Sequence, residues 1–291
     1  MSLFFKNKTA KNDFKEDNLP SNRKEVFFDC LKLRLFDFFK IGLLLLLFAL
    51  PLLIAGLFKD TLLFNMLDSL DGGQISEEDF NGAYTLIMLG YYLVEIVCLI
   101  IFSLGLAGSL RIIRQIAWGE AVFFMQDFFE GIKLNIKHFI IYFLFIGIFN
   151  FLNQLVMIFD IQYEIIKAIP FGISVFVLLP PLLYSFAETL MYTNGVMREY
   201  KNGFILYIKT FPTTILATVV VLLPLLFELI PSFIIKYIVI SIFIIAMLPI
   251  ILLGEFLYLN SRLDKFINKE TYPEIYDKGI HRKNKWMIFN S

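Results

Sequence analysis

The stretch LRIIRQIAWGEAVFFMQDFFEGIKLNIKHF, Leu110–Phe139, decides how the rest of this chain is read. One apolar run leads into it and another leaves it. Arg111 and Arg114 stand at its start, Lys133 and Lys137 near its end, and aromatic residues crowd its centre. Met125, Phe128, Phe129, Ile132, Ile136 and Phe139 fall on one stripe at helical spacing, with Gln126, Asp127, Glu130, Lys133 and Lys137 on other faces. This is the pattern of a cytoplasmic elbow that lies in the membrane surface and joins two transmembrane helices. Packing onto lipid or onto neighbouring helices accounts for the stripe without any ligand. The other reading is a docking surface for a cytoplasmic partner, formed by Arg111, Arg114, Trp118, Glu120, Asp127, Phe128, Lys133 and Lys137.

The composition agrees with lipid as the main solvent. The 291 residues are 58% hydrophobic and 18% charged, with mean hydropathy +0.72. A soluble domain is about 45–50% apolar and about 25% charged. Formal net charge is zero, so no overall basic field points to nucleic acid. The two cysteines, Cys30 and Cys98, form no metal-ligand spacing, and with only His138 and His281 a histidine-built metal site is not expected. HExxH, P-loop and GxSxG motifs are missing, so neither an enzyme nor a cofactor is implied. The beginning, MSLFFKNKTAKNDFKEDNLPSNRKE, lacks the apolar core and cleavage site of a signal peptide, and the first span is expected to be retained.

Working outward from the elbow, the apolar blocks predict six spans: 41–58, 83–110, 139–159, 168–191, 211–230 and 234–259. Residues 1–25 read as a polar, disordered extension, 26–265 as the membrane domain and 266–291 as a basic cytoplasmic tail. Residues 26–40 suit an interfacial helix with snorkelling cations. The acidic segment 59–82 reads as a loop, closed by a helix N-terminus at Ser76–Asp79. Pro180-Pro181 remove two backbone donors in mid-span, so a kink or break is expected there.

Charge sets the orientation. The N-terminal segment, the elbow, a second elbow at Tyr192–Thr210 and the tail hold 23 of the 26 basic residues, and the intervening loops hold Lys59, Lys167 and Lys236. By the positive-inside rule both termini are cytoplasmic. The elbow also repeats. CLKLRLFDF (Cys30–Phe38), GIKLNIKHF (Gly131–Phe139) and GFILYIKTF (Gly203–Phe211) precede spans 1, 3 and 5. The predicted fold is therefore an all-α integral membrane protein of three transmembrane hairpins, each preceded by an amphipathic interfacial helix. Parallel repeats of this kind occur in transporters, among other membrane proteins.

Intramembrane carboxylates are the candidate functional residues, because charge in hydrocarbon is costly. Glu95 is the deepest and reads either as a hydrogen-bonded structural group or as a substrate or coupling residue. Glu188 and Glu255 lie near cytoplasmic ends, where capping, or pairing with Arg198 or Arg262, is a simpler reading than a proton or substrate role. Glu228 reads as interfacial. Tyr91, Tyr92, Asn150, Asn153 and Gln154 are polar groups in the outer halves of spans 2 and 3, suited to an interfacial belt or to a pocket for sugar hydroxyls. Glu120-Ala121 invites comparison with the loop by which importer permeases dock their ATPases, but Gln126 stands where that loop has glycine.

ALPLLIAG (Ala49–Gly56) and GLAGSLRIIRQIAWGEAVFFMQDFFEGIKLNIKH (Gly105–His138) resemble the YesL-like family (domain of unknown function 624) of bacterial multi-pass membrane proteins. The matching features are Arg111 and Arg114 at the exit, the turn at Gly119-Glu120, Asp127-Phe128 with Phe129, and Asn135-Ile136-Lys137. NGFILYIKTFPTTI (Asn202–Ile215) resembles the family's second such segment. The acidic segment 59–82, the first 25 residues and the tail depart from that pattern. The resemblance implies a plasma-membrane protein associated with carbohydrate uptake, accessory or regulatory to the subunits of a sugar ABC importer. It carries no catalytic residues or cofactor. Without the resemblance, the alternative is a secondary transporter for a small solute with Glu95 as its coupling residue.

Overall fold

A computed structural model describes residues 19–158 and 164–281. It is all-helical, 87% helix, and no strand occurs among the described residues. Four helices are long and apolar enough to cross a membrane, and six if each of two bent pairs counts as one span.

Helix α1 (Arg23–Asp71) is a single 49-residue helix. Its start is fixed by Asn22, whose side chain accepts from the Glu25 N–H at 3.0 Å, while the Glu25 carboxylate accepts from the Ser21 N–H at 2.6 Å. Non-helical dihedrals at Arg34 (φ −127°, ψ 19°) put the bend inside the expected interfacial helix rather than at its junction with span 1. The segment 59–82, expected as a loop, is mostly helix. Helix α1 runs to Asp71, and α2 (Glu77–Trp118) begins after a five-residue turn. Ser76 and Asp79 form the expected N-terminus as a reciprocal capping box. Hydropathy marks where a helix leaves hydrocarbon; it does not mark where hydrogen bonding stops, and Lys59–Leu70 holds only residues that a helix tolerates.

The elbow is a tight turn between two straight helices, not a separate surface helix. Gly119 (φ 70°) ends α2 in the left-handed conformation. The Gly119 and Glu120 N–H groups return to the Ile116 and Gln115 carbonyls at 3.1 and 2.9 Å. Helix α3 (Phe124–Ile158) starts four residues later, its first turn closed by the Asp127 carboxylate accepting from the Phe123 N–H at 2.6 Å. Helices α2 and α3 run antiparallel in close contact. Gly108 faces Phe128, Gly131 faces Arg111 and Ala107, and Gly147 faces Ile96. Of the predicted apolar stripe, Phe128 and Phe139 are buried, whereas Met125, Phe129 and Ile136 are exposed. The buried face is Asp127, Phe128, Gly131, Asn135, Phe139 and Tyr142 instead.

Of the loop expected at 160–167, residues 160–163 lie outside the described residues, and 164–167 are already helical. Helix α4 (Glu164–Ile173) continues through a π-helical turn (Ser174–Leu178) into α5 (Leu179–Met191), so Pro180-Pro181 bring a π turn rather than a break. The second elbow holds α6 (Val196–Lys209), followed by α7 (Phe211–Val221) at an angle of 114°. The predicted helix to Ile230 stops early. Pro224 interrupts it, and a 3₁₀ segment (Leu223–Leu229) follows. The last span is likewise bent, by 49°, between α8 (Phe233–Ala246) and α9 (Leu248–Leu263), with Pro249 at the junction.

The tail does not run free from residue 266. A second π turn (Asp264–Asn268) and the short α10 (Lys269–Thr271) fold it back over the first elbow, where Ile280 enters the main core. Lys278 pairs with Glu120, and the Arg23 guanidinium donates to the Lys278 carbonyl at 2.7 Å. That core joins α1, α2, α3, α8, α9 and the tail; a smaller one joins α5, α6 and α9. Away from both, many large apolar residues face outward, among them Ile54, Leu86, Leu216 and Ile242. They suit lipid as their solvent.

Candidate functional site

The buried polar chemistry gathers at the second elbow. Helix α5 ends at Tyr192, whose backbone is extended (φ −125°, ψ 157°), and α6 starts from Gly195. The two helices lie antiparallel. Asn202 is opposite Glu188, Thr189 opposite Glu199, and Gly203 sits against the Pro181 carbonyl so closely that a Cβ would overlap it. Gly203 here does what Gly131 does in the first elbow. Each repeat copy has its small residue at a close helix approach; in the first copy, Cys30 Sγ lies 3.8 Å from the Ile116 carbonyl.

Glu199 is wholly buried. Its Oε2 accepts from the hydroxyls of Tyr142 and of Thr189, the latter at 2.7 Å. Its Oε1 lies 3.8 Å from His138 Nε2, and that nitrogen is 3.0 Å from the Asn194 carbonyl. One carboxylate thus ties α3, α5 and α6 together. Hydrogen bonds to a charged group are worth about 1.5–3 kcal/mol each, and burial without them is prohibitive. Sequence reading passes over Glu199, because Arg198 and Lys201 beside it look like a solvated segment. The signal was its spacing to Gly203, Leu206 and Tyr207, which form the buried face of α6.

Glu188 is also wholly buried. Instead of pairing with Arg198 as expected, it accepts from Asn202 Nδ2 at 3.0 Å, and its second oxygen accepts no hydrogen bond. Nearby, the Tyr192 hydroxyl donates to Asn268. Burial, followed by the charges of Glu188 and Asp264, holds that hydroxyl above the usual tyrosine range, so it serves as a neutral donor. Asn268 donates to Asp264 at 2.8 Å, and Asp264 pairs with Arg23 at 2.6 Å. With its amide turned to suit both neighbours, Asn260 accepts from Arg23 at 3.1 Å and from the Trp118 indole at 3.0 Å. A continuous polar chain therefore links the second elbow, the tail, the start of α1 and the first elbow.

Two further devices shape α6. Thr210 leaves helical geometry (φ −125°, ψ 22°), and its hydroxyl bonds Tyr184 at 2.7 Å and Thr214 at 2.8 Å, so the 114° bend is held by side chains. Tyr207 donates to the Phe176 carbonyl at 2.8 Å. That carbonyl finds no donor in α register, which needs the N–H of residue 180, or in π register, which needs 181. Both are proline.

The other expected sites are placed as follows. Glu95 is partly buried, with Lys59 and Asn150 as polar neighbours and one oxygen without a hydrogen bond. Glu255 also has an unbonded oxygen, and Arg262, its expected partner, lies over the Tyr258 ring instead. Glu228 is exposed and pairs with Lys236 at 3.0 Å; Lys236 also pairs with Asp60. Asn153 donates to Ser174 in the π turn at 3.0 Å, and Lys59 lies over the Tyr91 ring.

The docking set predicted in the first elbow comes apart. Trp118, Asp127 and Phe128 are buried in its packing and present nothing to a partner. Arg114 donates to the Leu190 carbonyl, Arg111 pairs with Glu130 at 2.9 Å, and Glu120 is taken by Lys278. Lys133 and Lys137 are the members left exposed without an ion pair among the described residues.

The fold and site thus define an all-helical protein with four to six apolar helices long enough to cross a membrane and two buried carboxylates, Glu188 and Glu199, between α5 and α6. No family model, curated protein or solved structure matches the chain.

Proposed function

We propose that the chain is a six-span plasma-membrane protein with both termini cytoplasmic, built as three hairpins behind three elbows. We further propose that it acts as a non-enzymatic accessory or regulatory component beside a sugar ABC importer, as its likeness to the YesL-like family implies. The charge asymmetry supports the orientation. Two of the three basic residues assigned to the outside, Lys59 and Lys236, share one carboxylate, Asp60, far along α1 from Arg23. From the bend at Arg34 to Asp60, the helix at a rise of 1.5 Å per residue spans ~39 Å, ample for a bilayer.

The observation that carries the accessory role is the polar chain from Tyr192 through Asp264 and Arg23 to Trp118. It locks tail, N-terminal helix and both elbows into one surface at the basic end, a platform on which Lys133 and Lys137 stay free to meet an acidic partner. The test is co-purification after mild detergent extraction from cells grown under sugar induction. Recovery of importer subunits, lost in a Lys133→Glu/Lys137→Glu variant, is expected. Repeated recovery without any transporter component sinks the reading.

One observation favours a second reading. The unbonded oxygen of Glu95, in the middle of α2, is what a coupling acid in a secondary transporter presents to its substrate or proton. Reconstituted uptake that is abolished by Glu95→Gln supports it, and uptake indifferent to that change removes it.

A further inference from the structure

Helices α1 and α6 each carry, at the end where the basic residues gather, an outward stripe that neither hydrophobic core covers. On α6 the buried face is Glu199, Gly203, Leu206 and Tyr207. At about 100° per residue the opposite face holds Met197, Lys201, Phe204 and Ile208, and all are exposed. Beyond the Thr210 bend, Phe211 and Leu216 of α7 are exposed too. On α1 the exposed stripe is Phe28, Lys32, Phe36, Phe39, Leu43 and Leu47, at the same steps of three and four residues. It continues past the bend at Arg34 and runs on to Ile54, within span 1. No position on either stripe is acidic. Lys32 and Lys201 are without an ion pair among the described residues.

Continuity decides what covers these lysines. A stripe that runs from a membrane span to its edge has lipid as its neighbour along the whole length, acyl chains first and headgroups after. Water alone would leave Phe28, Phe36 and Met197 as an uncovered apolar surface. An acidic protein would serve the lysines but not an apolar row that begins inside the bilayer. A lysine in this setting lays its methylene stem along the apolar side chains and lifts its ammonium to the level of the phosphates. With no acid on the stripe, one positive charge is left there unmatched. A headgroup of net negative charge neutralises it, and a zwitterionic headgroup does not.

We propose that the stripes on α1 and α6 bind anionic phospholipid of the cytoplasmic leaflet, with acyl chains along the apolar residues and headgroup phosphates on Lys32 and Lys201. Helix α3 carries a similar row, Met125, Phe129, Lys133 and Ile136. Lys133 is the residue that the accessory reading gives to an acidic partner, so it stays outside the proposal and outside its test. The inference rests on the six-span reading and not on the accessory role.

The test places the full chain in nanodiscs of phosphatidylcholine and phosphatidylglycerol in equal parts. The lipids still bound after release into detergent are then counted by native mass spectrometry. Phosphatidylglycerol is expected to be retained in preference to phosphatidylcholine. That preference should fall about fivefold in Lys32→Gln/Lys201→Gln, the factor for one cation lost from each stripe, and by part of that in either single variant. Lys269→Gln removes an exposed cation from the tail and should leave it unchanged. All of these side chains are exposed, so the variants fold. A chain that does not enter the discs overturns the six-span reading and this inference with it. A chain that enters and retains both lipids alike overturns the inference alone. So does a preference that the double variant keeps, or that Lys269→Gln lowers as much. Binding of a soluble polyglutamate peptide through Lys32 and Lys201, in place of the lipid preference, would assign the stripes to an acidic protein instead.

Discussion

The two elbows start from the same sequence module and solve the same problem differently. Between α2 and α3, a left-handed glycine turns the chain, Phe128 packs against Gly108, and the buried carboxylate, Asp127, is spent on closing the first turn of α3. Between α5 and α6, the contact is polar at its centre. Two carboxylates are buried, a threonine bends the following helix by 114°, and a cavity remains beside them. A joint that only has to hold is packed with hydrocarbon. One that keeps wholly buried carboxylates has accepted a desolvation cost that packing alone never demands.

The sharpest way to break that comparison is to remove one carboxylate from each elbow. Glu199→Ala strands the Tyr142 hydroxyl, leaves Thr189 only the Ser185 carbonyl at 2.9 Å, and opens a gap between three helices. With about 1–3 kcal/mol for the stranded hydroxyl and a cavity term added, the loss is expected to be about 2–5 kcal/mol. Glu130→Ala breaks only the pair with Arg111, whose carboxylate is half exposed, and should cost no more than about 1 kcal/mol. Cys30 and Cys98 are buried and free, so their labelling by a thiol-reactive dye during heating reports unfolding of both variants. Equal losses would make the two elbows energetically alike and end the distinction.

A smaller effect separates the two close approaches. At Gly203 an added Cβ meets the Pro181 carbonyl, which is backbone and cannot move aside. At Gly131 the nearest atoms are the Arg111 Cβ at 2.8 Å and the Ala107 carbonyl oxygen at 3.1 Å, also held by the backbone but further off than the 2.4 Å at Gly203. Overpacking of this kind costs about 1–3 kcal/mol. Gly203→Ala is expected at the top of that range and Gly131→Ala at the bottom, in the same thiol-labelling assay.

These elements also show what a sequence can disclose. The apolar blocks and the helix signals at Ser76 and Gly119 are local, and the all-helical, membrane-compatible fold follows from them. Cys30, Gly131 and Gly203, aligned at one position of the three similar stretches, each meet a neighbouring helix. What stays hidden depends on distant partners. Lys59–Leu70 looks like a loop by polarity yet continues α1. Glu199 looks solvated until Tyr142, 57 residues earlier, is seen to reach it. Trp118 and Phe128 look like an exposed aromatic surface until the tail and α2 cover them.

The double proline gives a third, more local comparison. Its effect is legible as lost donors, but its remedy is not, because Tyr207 lies 31 residues from the Phe176 carbonyl it serves. Tyr207→Phe removes only that donor. A loss of about 1–2 kcal/mol is expected, with increased proteolytic nicking near the π turn. If the variant is as stable as the parent, the carbonyl is served by another group and the tyrosine is merely packed.

The smallest effect concerns the contact between the tail and the first elbow. Lys278 and Glu120 are each about one-third exposed, so their pair is weak and salt-sensitive: about 0–1 kcal/mol. Lys278 also lies 4.6 Å from the Trp118 ring centroid. The Lys278→Ala/Glu120→Ala cycle is therefore expected to give a coupling below about 1 kcal/mol that shrinks in high salt, while Lys278→Ala alone costs slightly more because it also loses the ring. A coupling of several kcal/mol would make the tail a structural clamp on the first elbow. That elbow could then no longer be treated as the passive member of the pair.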